Sequence, residues 1–524
     1  MLVQMTHGRR WREALLALGI ASGFASAPMS ADAQTTLTWG KPSEVLSTDP
    51  HLSGDGTSWT VFYLIYDQLM GTTDDLKPAP GLAEAWEEAS PTSYLFRLRQ
   101  NAKFSNGRPV TSADVVGSLK RLTDPKLGAA WGRQLKSIKD VVAVDERTVR
   151  IDLSEPLTSL LSILSVATTS ILPIKEMETE GFDPAKSLMG SGPFAVKQHL
   201  QDEAWTLERN PHYWREGHPK ADQLVIRIMP DDTTRIAALR EGRVDFATFE
   251  NPDTPRLLNA VPNVGVHIQK TPNYFRLDVS AIQETSPFRD DRLRKAMSYA
   301  LDRQKIVQIV FGGNSAPEYV VPAAFDPPAA CREHPSYTMP RAERVKLAKD
   351  LVRQAGAENQ KINIIASSVL VTYPMIAQVI QRDLREIGLQ AEIQQVPAAE
   401  WYQRVFVEKT DFHMAVSWFA GYSDPAMIMN WWAPGAAPAY AGFVKPVEEY
   451  GQVLDKVRTL PAGPERAQAM GRACEIVYEA ANILPLVNKP DYIGFRRDLV
   501  DLKFAEVEGN FDVLKYAEEF TRKR

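Results

Sequence analysis

The chain has 524 residues, more than the roughly 250–300 residues that one hydrophobic core supports, so two or more lobes are expected. Hydrophobic residues make up 44% and charged residues 24% of the chain, which excludes disordered, collagen-like and coiled-coil proteins. The net charge of −5, from 60 basic and 65 acidic residues, excludes a nucleic-acid partner bound through overall charge.

The first 33 residues have the composition of a secretory signal peptide. Arginines within residues 9–12 precede an apolar stretch at 15–27, and small residues at 31 and 33 fit a cleavage site near Ala33. Cleavage there predicts an exported, periplasmic protein, and an uncleaved N-terminal anchor helix is the alternative. No later segment is apolar enough to span a bilayer, so a membrane-embedded chain is not expected.

Hydrophobic periodicity in the first half predicts alternating strands and helices. Apolar residues that alternate with polar ones indicate strands, and a three-to-four-residue spacing indicates helices. Thr111 and Asp114 resemble a capping box, which predicts a helix from there to about Leu122. The other predicted elements are strands at 36–39, 94–98 and 224–228, two strands within 142–153, and helices at 57–70 and 233–241.

The second half carries more helical spacing. Helices are predicted at 290–301, 347–355 and 376–387, and strands at 362–366 and 389–393. The order strand, helix, strand across 362–396 is a βαβ unit, whose two strands pair in parallel. The predicted fold class is therefore α/β.

No catalytic motif is present in the sequence. It lacks a phosphate-binding Gly-rich loop, a dinucleotide fingerprint, a Gly-x-Ser-x-Gly elbow and a His-Glu-x-x-His helix. The closest histidines, His212 and His218, have a spacing that suits no metal site on one helical face. We therefore expect a binding protein with no catalytic residues, no cofactor and no metal.

Two cysteines exclude a disulfide scaffold, and Cys331 and Cys474 either pair or remain two buried thiols.

Several segments, in order along nearly the whole mature chain, resemble one protein family. The most specific is FSNGRPVTSADVV at 104–116, similar to a Phe-x-(Asp/Asn)-Gly-x-Pro signature that continues to Thr-Ala-x-Asp-Val. The other matching segments are YDQL at 66–69, GSGPF at 190–194, RNPHYW at 209–214, PFRDDRLRKA at 287–296, LDR at 301–303 and SDP at 423–425. The chain thus resembles family 5 of the extracellular solute-binding proteins, the peptide/nickel/opine type of periplasmic substrate-binding protein of ABC importers.

The resemblance implies a fold similar to type II periplasmic binding proteins, with two lobes around a cleft and an extra inserted domain. Lobe one is expected to combine 34–66, 190–278 and 495–524. Residues 67–189 are expected to form the inserted domain, and 279–494 lobe two. Residues 1–33 are the predicted signal peptide.

The same resemblance implies a function as a monomeric periplasmic receptor. The protein is expected to bind a peptide-like or other small organic solute in the interlobe cleft and to deliver it to an inner-membrane ABC permease, whose ATPase supplies the energy. The ligand favours the closed state by its differential affinity for that state. The alternatives are a periplasmic hydrolase of peptides or glycans, and a chaperone-like or sensory binder on the same fold.

Ligand identity is the point where the sequence departs from the peptide-binding members. These carry an aspartate, three residues after a tryptophan, that pairs with the peptide α-amine, whereas Gly421 follows Trp418 here. The arginine that dipeptide binders use for the carboxylate is also missing from residues 366–371. Asp55 and Asp424 are the candidates for a substitute anion, although the position of Asp424 before Pro425 favours a role in fixing the bend. We expect weak binding of free-amine dipeptides, and opine-like, modified-peptide or glycoside ligands stay open.

Cleft residues are predicted by their position relative to the family pattern. A glycine-containing loop after the first strand allows close backbone approach to a ligand, with a plain turn as the alternative. Residues 418–422 match the loop that lines the family's cleft, residues 273–275 lie where the chain is expected to cross between lobes, and residues 401–402 follow a predicted strand. Aromatic residues in these three places are predicted to contact ligand, with core packing as the alternative. The predicted ligand-binding residues are Ser53, Gly54, Asp55, Gly56, Thr57, Tyr274, Trp401, Trp418, Phe419, Gly421 and Tyr422. Weaker candidates are Asn273, Phe275, Tyr402, Trp431 and Trp432.

Overall fold

The computed structural model of the protein describes residues 34–179, 181–368, 370–433 and 443–523. The predicted signal peptide at 1–33 lies outside the described residues. None of the helices in the described ranges combines the length and the apolar character needed to cross a lipid bilayer.

A mixed sheet of seven strands is the largest sheet in the described part of the chain. Its spatial order is Val264–Gln269, Asp491–Arg496, Phe246–Phe249, Thr36–Lys41, Gln223–Ile228, Ala204–Arg209 and Phe194–Leu200. The first strand of the chain lies in the middle and pairs in parallel with both of its neighbours. Its alternating Leu37 and Trp39 are buried, as the sequence pattern predicted.

A second sheet of five strands has the order Gln390–Val396, Lys361–Ser367, Met414–Phe419, Tyr274–Val279 and Ile483–Asn488. Helix Thr372–Glu386 connects its first two strands, which pair in parallel in full register. The predicted βαβ unit is confirmed. All six residues of Tyr274–Val279 are buried, because this strand has a neighbour on each side and helices cover the sheet.

A third, antiparallel sheet has the order Ala83–Ser90, Ser93–Leu98, Thr148–Leu153 and Ile138–Ala143. Helix Ser112–Thr123 packs against it. The Asp114 carboxylate accepts hydrogen bonds from the Thr111 backbone and hydroxyl, so the predicted helix start is confirmed. Two-stranded ribbons join Met70–Thr72 to Pro78–Pro80 and Val500–Asp501 to Thr521–Arg522.

Helices surround these sheets. The α-helices of the described ranges not yet given are Gly56–Ile65, Leu160–Ile163, Ile174–Met177, Pro184–Ser187, Asp232–Glu241, Thr254–Asn259, Asp291–Ala300, Arg303–Phe311, Ala329–Arg332, Pro335–Thr338, Arg341–Gln354, Ala398–Tyr402, Pro425–Met429, Glu448–Thr459 and Pro464–Ala480. The helix predicted at 57–70 was wrong beyond Ile65. There Tyr66 turns to an extended conformation, and the Ile65 carbonyl accepts a hydrogen bond from Gly192.

A disulfide joins Cys331 to Cys474 and so ties the short helix Ala329–Arg332 to the long helix Pro464–Ala480. Of the two alternatives that the sequence left open, the paired state is the one in the structure.

The α/β fold class is confirmed by the mixed sheets and their covering helices. The domain limits stay a prediction; the strand Asp491–Arg496, which spans the predicted limit at 494, pairs within the seven-stranded sheet.

Two short links carry the chain between the seven-stranded and five-stranded sheets. Residues 270–273 connect Val264–Gln269 to Tyr274–Val279, and residues 489–490 connect Ile483–Asn488 to Asp491–Arg496. The links lie side by side, because the Lys489 backbone N–H donates to the Asn273 carbonyl at 2.8 Å and the Thr271 hydroxyl donates to the Lys489 carbonyl at 2.8 Å. They therefore form one hydrogen-bonded junction between the two sheets.

Candidate functional site

A cavity of about 590 Å³ lies at this junction. The strands Thr36–Lys41 and Phe246–Phe249 of one sheet and Met414–Phe419 of the other all lead into it at their carboxyl ends. In open α/β sheets, ligands bind outside the carboxyl ends of the strands, and the volume lies within the range of small-molecule sites. Its lining residues are Trp39, Lys41, Pro42, Ser43, Gly54, Asp55, Gly56, Thr57, Trp59, Thr60, Thr248, Phe249, Glu250, Trp418, Phe419, Ala420, Tyr422, Trp431, Lys489, Asp491, Phe511 and Val513.

One wall is the loop that precedes helix Gly56–Ile65. The Asp55 carboxylate caps this helix by accepting from the Ser58 backbone N–H at 2.8 Å. At Gly56 a Cβ atom would lie 2.4 Å from the Phe511 ring, so only glycine lets that ring approach. Gly54 and Thr57 also line the cavity, whereas the buried Ser53 stands behind the wall and donates to Asp55.

The opposite wall continues the strand Met414–Phe419, with Trp418, Phe419 and Tyr422 in the lining. The Trp431 ring also lines the cavity and stacks on Phe419 at 5.4 Å between ring centroids. Arg276 supports this wall from beneath, since its guanidinium lies 3.6 Å from the Phe419 ring centroid and donates to the Trp418 carbonyl. Large aromatic faces thus form this side of the cavity.

Gly421 stands outside the lining. Its backbone N–H donates to the Asn273 side-chain oxygen at 2.7 Å, and a Cβ atom there would lie 2.3 Å from the Pro272 carbonyl carbon. No side chain, and hence no aspartate, fits at this position in the present packing. Close packing against Pro272 therefore explains why residue 421 is a glycine.

Tyr274, Trp401 and Trp432 also lie outside the lining. Tyr274 is fully buried, with its ring 5.8 Å from Phe419 and 6.3 Å from Trp432 between centroids. Trp401 packs in a separate cluster against Phe406, at 5.1 Å between centroids. These three aromatic side chains pack in the core near the cavity but do not form the surface of the cavity.

The proposed substitute anion Asp424 also lies away from the cavity. Its carboxylate accepts from the Arg466 guanidinium at 2.9 Å and from the Ala426 backbone N–H at 2.7 Å, which caps helix Pro425–Met429. Burial raises the pKa of Asp424, and the Arg466 charge opposes that rise. Asp424 therefore fixes the bend after the aromatic wall.

An ion cluster that sequence reasoning missed lines the floor of the cavity. The Lys489 ammonium donates to Glu250 at 2.8 Å and to Asp491 at 3.1 Å. Burial acts to lower the pKa of Lys489, but the two carboxylates outweigh it and raise that pKa. The same ammonium lowers the pKa of Glu250, whereas burial raises the pKa of Asp491. The sequence signal was a lysine beside a proline between two apolar strands, in Asn-Lys-Pro-Asp at 488–491.

A second lysine, also missed, stands at the end of the central strand. Lys41 is 3% exposed, and its ammonium donates to the Ser43 carbonyl at 2.6 Å. Burial lowers its pKa to about 8, although the charges of Glu44 and Asp55 oppose this. The described lining therefore offers aromatic faces, two ammonium groups and carboxylates, which are groups that hold a charged organic solute.

Two sheets that meet at a hydrogen-bonded double link, with a polar and aromatic cavity at the junction, define a ligand-binding protein of the two-lobed kind. Among the described residues, no three histidine, cysteine or carboxylate side chains come together as a metal site.

The chain belongs to the bacterial extracellular solute-binding proteins, family 5, whose model matches residues 77–439. It is 28% identical over 388 residues to the glutathione-binding protein GsiB of Salmonella typhi, covering 74% of each chain. It is 26% identical over 476 residues to the dipeptide-binding protein DppE of Bacillus subtilis (strain 168), covering 84% of each. The fold matches the ABC transporter substrate-binding protein CtaP of Listeria monocytogenes with a TM-score of 0.84 at 19% identity, over 94% of this chain and 100% of CtaP.

These matches confirm the family that the sequence motifs indicated. The protein is a solute-binding protein of this family, and members of the family bind without catalysing a reaction. The hydrolase alternative is therefore wrong. Solved structures with the same fold include periplasmic binding proteins.

Proposed function

We propose that this protein is a periplasmic receptor that binds a small peptide-like or related organic solute in the junction cavity and delivers it to an inner-membrane ABC permease and its ATPase. The observation that carries the proposal is the cavity itself, where carboxyl ends of strands from both sheets bring aromatic and charged side chains together. The names of GsiB and DppE support a peptide-like ligand class. Signal cleavage near Ala33 belongs to the same proposal.

In this proposal the ligand contacts both sheets at once. The loop of Gly54, Asp55, Gly56 and Thr57 provides contacts from the seven-stranded side, and residues 418–422 provide contacts from the five-stranded side. A ligand that touches both sides favours the closed arrangement by its differential affinity, and the two links at 270–273 and 489–490 serve as the hinge. Closure over the aromatic faces removes water, so each polar group of the ligand needs a partner.

The domain division that goes with this mechanism is the one expected from the sequence. Lobe one comprises 34–66, 190–278 and 495–524, the inserted domain 67–189, and lobe two 279–494. Two strands argue for moving these limits to the links. Tyr274–Val279, assigned to lobe one as far as residue 278, pairs within the five-stranded sheet, and Asp491–Arg496, assigned to lobe two as far as residue 494, pairs within the seven-stranded sheet.

Ligand binding tests the proposal. Protein purified from a periplasmic extract is denatured, and the released solute is identified by mass spectrometry. The solute is then titrated into ligand-free protein by calorimetry. We expect W418A to weaken binding by at least about 10-fold, because a stacking aromatic face is lost, whereas W86A on the antiparallel sheet leaves the affinity unchanged. Equal affinities of both variants, or conversion of the solute during incubation, would contradict the proposal.

A further inference from the structure

The two lysines of the cavity differ in their direct contacts with carboxylates. Lys489 has a carboxylate on two sides, Glu250 at 2.8 Å and Asp491 at 3.1 Å. Within the described ranges, no carboxylate oxygen lies within 4.0 Å of the Lys41 ammonium, which donates to the Ser43 carbonyl alone. An ammonium has three donors, and one neutral acceptor leaves two of them without a protein partner in a nearly fully buried position.

The carboxylates nearest to Lys41 along the chain are used elsewhere. Glu44 accepts from the Trp205 indole at 2.8 Å and from the Val45 backbone N–H at 2.7 Å. Asp55 caps its helix through Ser58. The charges of Glu44, Asp55 and Glu250 act on the Lys41 ammonium from a distance, but no carboxylate in the described ranges contacts it. The buried ammonium therefore has unused donors, which is costly until a partner binds them.

We propose that Lys41 binds a carboxylate of the ligand at the carboxyl end of the central strand. This inference rests on the proposed function and assigns a specificity-determining residue in the same cavity. A carboxylate supplies the missing acceptor and a contacting negative charge in one group, and exclusion of water on binding strengthens that hydrogen bond.

A monoanionic carboxylate fits this site better than a phosphate. The described lining contains two lysines, no arginine and three carboxylates, those of Asp55, Glu250 and Asp491. These carboxylates repel a phosphate dianion more strongly than a monoanion. The N-terminus of helix Gly56–Ile65, which would otherwise suit a phosphate, is already capped by Asp55.

The test compares free acids with their carboxamides, which differ only in the charged group. The probes are N-acetyl-Ala-Phe and Ala-Phe, each as the acid and as the C-terminal amide, together with any acidic solute recovered from the purified protein, as the acid and with every carboxylate amidated. Affinities are measured by calorimetry on the wild type, on K41M and on K346M, which removes an exposed lysine of helix Arg341–Gln354 as the matched control.

For the wild type and K346M, we expect the acid to bind about 10- to 100-fold more tightly than the amide, the effect of one hydrogen bond to a charged group. For K41M, acid and amide should bind with similar, weak affinity. Wild-type protein that binds an acid and its amide equally well would overturn the inference, as would a K41M variant that keeps the wild-type ratio. If no probe and no recovered solute binds to the wild type, the proposed function itself fails, and the role of Lys41 fails with it.

Discussion

Removal of the Lys41 charge is expected to make the protein more stable at neutral pH. Burial lowers the pKa of Lys41 from 10.5 to about 8. At 1.36 kcal/mol per pKa unit, holding this lysine protonated in the folded state therefore costs about 3 kcal/mol of unfolding free energy. K41M removes that cost and retains a side chain of similar length. The Ser43 carbonyl loses a donor, which offsets about 1 kcal/mol of the gain.

The lowered pKa of Lys41 determines how the unfolding free energy changes with pH. Between pH 8 and 10.5 the unfolded chain holds the Lys41 proton and the folded chain releases it, so the stability of the wild type rises with pH across this window. K41M lacks this rise. The stability advantage of K41M is therefore largest at and below pH 7 and disappears as the pH approaches 10.5.

Urea unfolding of the wild type, K41M and the control K346M at pH 7, 8.5 and 10 measures the effect. We expect K41M to exceed the wild type by about 2 kcal/mol at pH 7, with the difference shrinking at each higher pH, while K346M follows the wild type throughout. A difference between K41M and the wild type that does not change with pH would refute the reasoning. The same variant then serves the binding test, because a more stable K41M cannot lose ligand through unfolding.

Three further predictions concern other parts of the molecule. K489M should lower the unfolding free energy by about 3 kcal/mol in urea titrations, because two carboxylates of the cavity floor lose their counter-charge; an unchanged midpoint would contradict this. Replacing Cys331 and Cys474 by serine should lower stability by up to about 5 kcal/mol, since the disulfide closes a loop across 143 residues, and reductant should then no longer change the melting temperature. Free-amine dipeptides should raise the melting temperature less than their N-acetylated forms, because Gly421 leaves no room for an aspartate beside Pro272; equal shifts would contradict this.

Local patterns made much of the fold predictable. The capping pair at Thr111 and the parallel unit across 362–396 follow from rules that act within a few residues, and both are confirmed. The helix predicted at 57–70 was too long because apolar side chains continue beyond Ile65. What ends the helix is a contact with Gly192, which is distant in sequence.

The cavity was only half predictable for the same reason. The loop at 54–57 and the aromatic stretch at 418–422 could be located because each is continuous in sequence and lies beside a recognisable motif. The charged groups could not, because Lys41, Glu250 and Lys489 become neighbours only when strands from three distant parts of the chain end at one junction. In the proposed function these charges select the solute, so ligand chemistry is the property that the sequence predicts least well.

The junction also contains a tryptophan, Trp418, whose fluorescence is sensitive to the charge of Lys489. The Lys489 ammonium lies 5.4 Å from the centre of the Trp418 ring. The lysine is paired with Asp491, which begins a strand of one sheet, whereas the indole belongs to a strand of the other. A change in the angle between the sheets alters the electric field of this charge at the indole. Trp418 is one of 11 tryptophans in the chain, so the difference in fluorescence between the wild type and W418F isolates its signal and reports a change at this junction without any attached dye.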